Sequence, residues 1–132
     1  MTTVHTLASG SSGNAAVLSC GDTHLLIDAG ISCRRITAAL KELGLTPADL
    51  TAILITHTHS DHISGLNTLL KKTTCPLLAP PRTCRELSCR VEGIDPRLMG
   101  LDDPITLGEI DMQPIPTSHD APGSCGWRLD TE

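Results

Sequence analysis

Three histidines and one aspartate fall within six consecutive positions near the middle of the 132-residue chain. His57, His59, Asp61 and His62 follow the apolar run 52–55, whose β-branched residues predict a buried strand. Because side chains alternate along an extended segment, His57, His59 and Asp61 should point one way and His62 another. Imidazole and carboxylate groups are ligands of zinc and related metals, and packing gives no reason to cluster them. This stretch therefore predicts a site for one or two metal ions.

The elements around this stretch place it in the turn between a strand and a helix. Apolar residues at helical spacing in 63–72 predict the helix, within which Gly65 indicates close backbone packing near the turn. Asp28 ends an earlier strand and, read by itself, should cap or hydrogen-bond the loop that follows. Other strands are predicted at 4–7, 15–20, 24–28 and 75–79, on both sides of a turn at 108–109, and at 124–129, with helices at 33–43 and from Pro81, and with 94–100 unassigned.

Several segments carry a resemblance to a known family. The strand and the stretch 57–62 after it resemble the His-x-His-x-Asp-His signature of the metallo-β-lactamase superfamily. Segment 26–30 looks like that family's first motif, an aspartate at the end of an early strand, and 117–120 looks like its third motif, a single histidine. Segment 7–15 is similar to the opening of a bacterial branch of nucleases and phosphodiesterases linked to cell-wall regulation. Read alone, its residues 9–14 predict a turn or a nest of backbone N–H groups, which the resemblance places near the metal site and in contact with an anionic substrate.

The resemblance also implies the architecture. Interleaved strands and helices already predict an α/β (α+β) chain, and the family implies a four-layer αββα sandwich built of two similar halves. On this comparison residues 1–132 form a single metallo-β-lactamase-like domain that contains the N-terminal half and part of the second half. The family's later motifs, a bridging aspartate and a final histidine, fall beyond residue 132. We therefore expect the domain to be incomplete at its C-terminus and to self-associate through the face left open.

Each candidate ligand takes a role from the resemblance. His57, His59 and His119 would hold a first divalent ion, and Asp61 and His62 would hold a second, whose remaining family ligands are absent from the sequence. Zinc is expected for both ions, with manganese or iron as alternatives. Asp61 would also orient the attacking hydroxide, which makes it the candidate catalytic residue. His119 is a single residue, so read alone it is also compatible with an ordinary loop group.

The implied function is hydrolysis by a metal-bound hydroxide. A phosphodiesterase or nuclease is the closest match, with a small-molecule or nucleic-acid phosphodiester as substrate. Two alternatives stay open: hydrolysis of a thioester or lactone, as in glyoxalase-like relatives, and an inactive metal-binding fragment, because part of the second metal site is missing. The family's aspartate at the position of Asp28 orients the ligand loop without itself binding metal.

The composition and charge of the chain restrict the cellular location and the binding partners that we expect. The net charge of −5 argues against a broad basic surface for nucleic acid, although two divalent ions would add positive charge where a phosphate sits. No segment approaches the roughly 20 apolar residues of a membrane span. The N-terminus also lacks a signal-peptide pattern, so we expect a cytoplasmic protein with no membrane partner.

In that compartment the six cysteines should be free thiols: Cys20, Cys33, Cys75, Cys84, Cys89 and Cys125.

Overall fold

Strands and helices alternate along most of the chain. The computed structural model describes residues 2–10, 13–56, 60–91, 94, 97–100, 104–108, 110–116 and 125–130, with the backbone alone at 60, 61, 99, 114–116, 125–128 and 130. The strands are β1 (Thr2–Ala8), β2 (Ala15–Cys20), β3 (Thr23–Ile27), β4 (Ala52–Leu54), β5 (Leu77–Ala79), β6 (Leu98–Gly100), β7 (Ile105–Leu107), β8 (Ile110–Pro116) and β9 (Cys125–Asp130). The helices are α1 (Cys33–Glu42), α2 (Ser60–Ile63), α3 (Leu66–Leu69) and α4 (Pro81–Arg90), and a 3₁₀ turn covers Pro47–Asp49.

The described strands form two sheets. The larger sheet has the order β1-β2-β3-β4-β5-β6, antiparallel from β1 to β3 and parallel from β3 to β6. The smaller sheet, β7-β8-β9, is antiparallel. Parallel neighbours need a crossover connection, and helices supply it: α1 lies between β3 and β4, α2 and α3 between β4 and β5, and α4 between β5 and β6. The α/β class predicted from the sequence is confirmed.

The central strands are apolar on both faces. Helices cover one face, and the smaller sheet covers the other. Val17 and Leu26 pair across β2 and β3 and belong to the core beneath the helices, whereas the adjacent pair, Leu18 and Leu25, belongs to a core against the smaller sheet. A fully buried aliphatic side chain of this kind stabilises the fold by roughly 1.5–3 kcal/mol. The helical core also contains Ile36, Leu40, Leu66, Leu69 and Leu87, and the other contains Ile110 and Met112. The layers are therefore helix, sheet and sheet, three of the four that the resemblance implies.

Helix α1 forms where the sequence places its start and stop signals. The side-chain oxygen of Ser32 accepts a hydrogen bond from the backbone N–H of Arg35 at 3.2 Å and so caps the N-terminus. Ile36 is fully buried on the inner face. Gly44 follows the helix with a φ of 77°, in the left-handed region that glycine tolerates. The helix predicted at 33–43 is confirmed to within one residue.

The helix predicted at 63–72 is interrupted. The structure has two single-turn helices, α2 and α3, and Gly65 between them lies against the loop that precedes α1. The Gly65 N–H donates to the carbonyl oxygen of Ala29 at 2.8 Å, and a β-carbon on this glycine would overlap the carbonyl oxygen of Ile31. The close backbone packing that the sequence predicts at Gly65 is confirmed, and this packing explains the break in the helix.

Strand β6 is an element that the sequence left unassigned. It pairs parallel to β5 as the last strand in the order of the larger sheet. Arg97 immediately before it donates to the carbonyl oxygens of Leu70 at 2.6 Å and Cys75 at 2.8 Å, which holds the chain beside the start of β5. The proline and glycine of this segment obscure a strand pattern, and long-range pairing decides the structure. The other predicted strands and the helix from Pro81 are present, with ends displaced by at most two residues.

The cysteines whose side chains are described are free thiols. Burial raises the pKa of the Cys84 thiol, which therefore stays protonated through neutral pH, and its sulfur donates to the carbonyl oxygen of Ala79 at 3.6 Å. The side chain of Cys125 lies outside the described residues. Buried thiols are Cys20, Cys33 and Cys75, Cys84 is half-buried, and Cys89 is exposed.

The surface of the described residues is mostly polar. Among them, Val4 is the one large hydrophobic residue that is exposed, with 62% of its surface accessible. This part of the chain therefore presents no broad apolar face, and self-association stays a prediction. None of the helices in the described ranges is long and apolar enough to cross a membrane.

Replacing Gly65 by alanine should destabilise the protein by about 3 kcal/mol, the upper part of the range for overpacking. The Gly65 backbone, with φ −92° and ψ −4°, suits any residue, so the loss would come from the overlap with Ile31. Gly44→Ala is the matched control: its φ is positive but no atom lies within 4 Å of the new β-carbon, so about 1 kcal/mol is expected. Urea unfolding of both variants measures the difference. Equal losses would show that the loop before α1 yields to the new side chain.

Candidate functional site

The carboxyl ends of the parallel strands meet along one edge of the larger sheet, and the predicted metal stretch begins there. Asp28 follows β3 directly, and Thr56 lies two residues beyond β4, the next strand in the sheet. The Asp28 N–H donates to the carbonyl oxygen of Leu54 at 2.7 Å, so the two strand ends are joined. Ligands of open α/β sheets bind beyond these strand ends, where loops from neighbouring strands come together. We refer to this side of the sheet as the carboxyl edge.

The Asp28 carboxylate is the centre of a hydrogen-bond network at the carboxyl edge. Its Oδ1 accepts the backbone N–H of Thr56 at 2.8 Å. Its Oδ2 accepts the Thr56 hydroxyl at 2.6 Å and lies 2.6 Å from Nδ1 of His62. Only 6% of the Asp28 side chain is accessible, against 17% for His62. A buried carboxylate needs such donors, because an unpaired charge in the interior is strongly disfavoured.

The network determines which nitrogen of His62 carries a proton. Nδ1 lies 2.6 Å from a carboxylate oxygen, which accepts but does not donate, so Nδ1 must bear the hydrogen. The Thr56 oxygen, 3.2 Å from the same nitrogen, is compatible with this assignment. In the neutral ring the lone pair then lies on Nε2, which is the nitrogen that a metal would bind.

Asp28 has a backbone conformation that few residues adopt. Its φ is 65°, and it is the only non-glycine residue in the described ranges with a positive φ. Aspartate tolerates this left-handed region better than most residues, although the conformation still costs about 1–3 kcal/mol. The turn lets the backbone bond to β4 while the side chain reaches Thr56 and His62. Strain of this kind is commonly stored at functional sites.

Backbone hydrogen bonds attach the loop after β3 to helix α2. The Ala29 N–H donates to the carbonyl oxygen of His62 at 2.8 Å. The Gly65 N–H returns a bond to the Ala29 carbonyl at 2.8 Å, and the Ser64 hydroxyl donates to the carbonyl oxygen of Gly30 at 2.8 Å. The loop and the residues that follow the predicted metal stretch therefore form one connected unit.

The glycine- and serine-rich loop after β1 reaches the same unit. The carbonyl oxygen of Asn14 accepts the Gly30 N–H at 2.8 Å. The Asn14 side chain bridges back to Gly10, accepting its N–H at 3.2 Å and donating to its carbonyl oxygen at 2.8 Å. Ser11 and Ser12 lie outside the described residues. The segment is thus anchored beside the candidate site, and its contact with an anionic substrate stays a prediction.

The predicted metal ligands are described only in part. His57, His59 and His119 lie outside the described residues, as does the side chain of Asp61, whereas His62 is described in full. Within the described ranges, no three side chains of His, Cys, Asp or Glu are grouped to hold a metal. The two-ion ligand set of the sequence analysis therefore stays a prediction.

Two residues of the network, Asp28 and Thr56, differ in how far the sequence predicts their contribution. The role of Asp28 in orienting the ligand loop agrees with its bond to His62. Thr56 was missed as a contributor, although its position directly before the first histidine and after a buried strand is a usable signal. A carboxylate on Nδ1 is the usual support of a metal-binding histidine, because it sets the tautomer and the ring orientation. The described donor chemistry therefore fits a divalent metal ion.

Relatives of known sequence match most of the chain. A family model described as the Metallo-beta-lactamase superfamily matches residues 8–130. Exodeoxyribonuclease WalJ of Streptococcus pneumoniae serotype 2 (strain D39) is 40% identical over 120 residues, which are 87% of this chain and 45% of WalJ. Exodeoxyribonuclease YycJ of Bacillus anthracis is 36% identical over 118 residues, with the same shares. The chain thus spans about half the length of these relatives.

Solved structures match the fold. A motif variant of a metallo-β-lactamase from Cronobacter sakazakii matches with a TM-score of 0.79 at 22% identity, over 94% of this chain and 55% of that one. At this identity the likeness concerns the fold alone, and the fold class predicted from the sequence is confirmed. Since the family model covers all but the ends of the sequence and the helix–sheet–sheet layers match the same fold, the chain belongs to the metallo-β-lactamase superfamily.

Proposed function

We propose that the protein is a metal-dependent hydrolase that cleaves phosphodiester bonds in nucleic acid. The observation that carries this proposal is the buried Asp28 carboxylate on Nδ1 of His62, at the carboxyl edge of a superfamily fold. Support for a nucleic-acid substrate comes from WalJ and YycJ, which are named exodeoxyribonucleases. The cytoplasmic location expected from the sequence agrees with such a substrate.

The proposed metal ligands are those of the sequence analysis. Two divalent ions, with zinc as the proposed metal and manganese or iron as alternatives, would lower the pKa of water to about 7 and polarise the phosphoryl group. The ligands are His57, His59 and His119 for the first ion, and Asp61 and His62 for the second.

The chain's own residues prepare the site by orientation. Asp28 holds the His62 ring in the Nδ1–H tautomer, which presents Nε2 as the donor atom. Thr56 holds the carboxylate from both sides, with its N–H on Oδ1 and its hydroxyl on Oδ2, so the carboxylate cannot rotate away from the ring. Asp61 is proposed to orient the attacking water, since a carboxylate can accept its proton.

A substrate panel tests the reaction class. The protein is assayed on bis-p-nitrophenyl phosphate, a thioester and a lactone, each with zinc or manganese present. Turnover of the phosphodiester alone supports the proposal. Turnover of the thioester or lactone alone would reassign the protein to the other hydrolases of its superfamily, and metal binding without any turnover would make it an inactive metal-binding module.

Metal content tests the ligand set. His57→Ala and His59→Ala should each remove most of the metal that the purified protein retains, because each removes a ligand of the first ion. His5→Ala is the matched control, since this histidine is exposed on β1 and lies far from the predicted stretch in sequence. Elemental analysis after growth in supplemented medium gives the readout. Equal metal content in all three variants and the wild type would contradict the assignment.

The hydrogen bond to His62 should contribute to metal affinity. Asp28→Asn keeps the size of the side chain and its tolerance of a positive φ, but the amide can favour the wrong tautomer of the ring. We expect about 10–100-fold weaker zinc binding. Thr56→Val, which removes the hydroxyl and keeps the backbone bond, should lie between this variant and the wild type.

Asp22→Asn is the control for this series, because Asp22 is exposed in the β2–β3 turn and should leave zinc affinity unchanged. Competition with a zinc chelator measures the affinities, and nitrogen NMR of the His62 ring reports the tautomer directly. An unchanged tautomer together with unchanged affinity in Asp28→Asn would remove Asp28 from the proposed mechanism.

A further inference from the structure

Two pairs of exposed arginines lie near the starts of two helices, one after β3 and one after β5. Arg34 and Arg35 begin helix α1, and Arg82 and Arg85 lie in the first half of helix α4. We infer that these four side chains bind the phosphate backbone of a single strand of DNA that crosses the carboxyl edge of the larger sheet. The inference rests on the proposed function and extends it to the path of the substrate.

The topology places both pairs at the carboxyl edge. Strand β4, which leads into the metal stretch, lies between β3 and β5, and α1 follows β3 while α4 follows β5. Each helix therefore begins where its strand ends. Contacts agree with this placement: a β-carbon on Gly65 would meet the backbone N of Cys33 at 3.2 Å, and one on Gly100 at the end of β6 would meet Pro81 at 3.3 Å.

The four guanidinium groups are available to a ligand. All four residues are exposed, and in the part of the chain that the structure describes their guanidinium groups make no hydrogen bond or ion pair. Arg97 provides the contrast, because its guanidinium is occupied by two backbone carbonyl groups. A structural role of that kind does not account for the two pairs.

Helix stability does not account for their positions either. Neither α1 nor α4 has an acidic residue in its first turn, and Arg34, Arg35 and Arg82 stand there instead. The positive end of the helix dipole disfavours cations and favours acidic side chains at these positions. A bound anion would make this arrangement favourable, because both the arginine side chains and the positive ends of the helix dipoles would attract it.

The spacing suits a polymer. Strands two positions apart are roughly 10 Å from each other, so the two pairs spread four guanidinium groups over a span that several nucleotides of one strand can follow. Arginine matches phosphate through paired N–H donors. A chain with a net charge of −5 needs such a local concentration of positive charge to hold a polyanion. DNA is the polymer indicated by the relatives named exodeoxyribonucleases.

The opposite edge of the sheet offers a matched control. Lys71 and Lys72 follow α3 and are also exposed, but they precede β5 and so lie at the edge where the parallel strands begin. A ten-residue helix such as α1 is about 15 Å long. The two edges are therefore separated by more than a Debye length of about 8 Å at physiological salt.

The experiment compares three double variants in the zinc-loaded protein: Arg34→Glu with Arg35→Glu, Arg82→Glu with Arg85→Glu, and Lys71→Glu with Lys72→Glu. Each changes the net charge by the same amount. The probe is a fluorescein-labelled oligothymidylate of about 20 nucleotides, long enough for a single-strand groove, with phosphorothioate linkages to resist cleavage. Fluorescence anisotropy across a salt series gives the affinity. Glutamate is favoured in a first helical turn, where Arg34, Arg35 and Arg82 lie, and Arg85 is exposed, so the arginine variants should fold, and thermal melting checks this.

Each arginine variant should lose at least tenfold in affinity, and its salt slope should fall by about 1.4, at 0.7 for each lost phosphate contact. The lysine variant should bind as the wild type does. Equal losses in all three variants, unchanged affinity in the arginine variants, or a wild type that does not bind the probe would each overturn the inference. The proposed function is judged separately by wild-type turnover of bis-p-nitrophenyl phosphate, so either conclusion can fail without the other.

Discussion

The candidate site depends on one buried carboxylate. Asp28 joins three segments that are distant in sequence: its own strand β3, Thr56 beyond β4, and helix α2, whose His62 is 34 positions away. The two cores hold these elements in place but do not orient them at the precision a metal ligand needs. The orientation comes from three short hydrogen bonds to a single side chain, sheltered from water that would otherwise compete for them.

Residue types and local sequence signals made much of the fold and part of the candidate site predictable. The bounds of α1 and the apolar strands follow from patterns that are short in sequence, whereas the orienting role of Asp28 was implied by the family resemblance and agrees with its bond to His62. The position of Thr56 between a buried strand and the first histidine is a signal that it belongs to the site, but its bond to Asp28 is visible only in the structure. The break at Gly65 and the presence of β6 depend on long-range contacts, with Ile31 and through Arg97 respectively.

Net charge and local charge give different descriptions of this protein. A chain with a net charge of −5 would be judged a poor partner for nucleic acid. In the described ranges, however, the edge where β3 and β4 begin carries the exposed acids Asp22 and Asp49 as well as the exposed Lys71 and Lys72, so charges of both signs offset one another there. At the carboxyl edge, four exposed arginines make no ion pair with any residue that the structure describes, so positive charge is locally in excess. The distribution of charge along the sheet axis is thus more informative about binding than its sum.

The hydrogen bonds between the β3–α1 connection and helix α2 limit the changes in length that this connection can accept. Surface loops usually accept insertions and deletions, but here Ala29 both donates to His62 and accepts from Gly65. One residue more or fewer between Ile27 and Ala29 would move Ala29 out of both bonds and turn the neighbouring aspartate away from the ring. The length of this connection should therefore be invariant among active homologues, even where its residue types differ, and a gap there in an alignment would identify members that have lost the site.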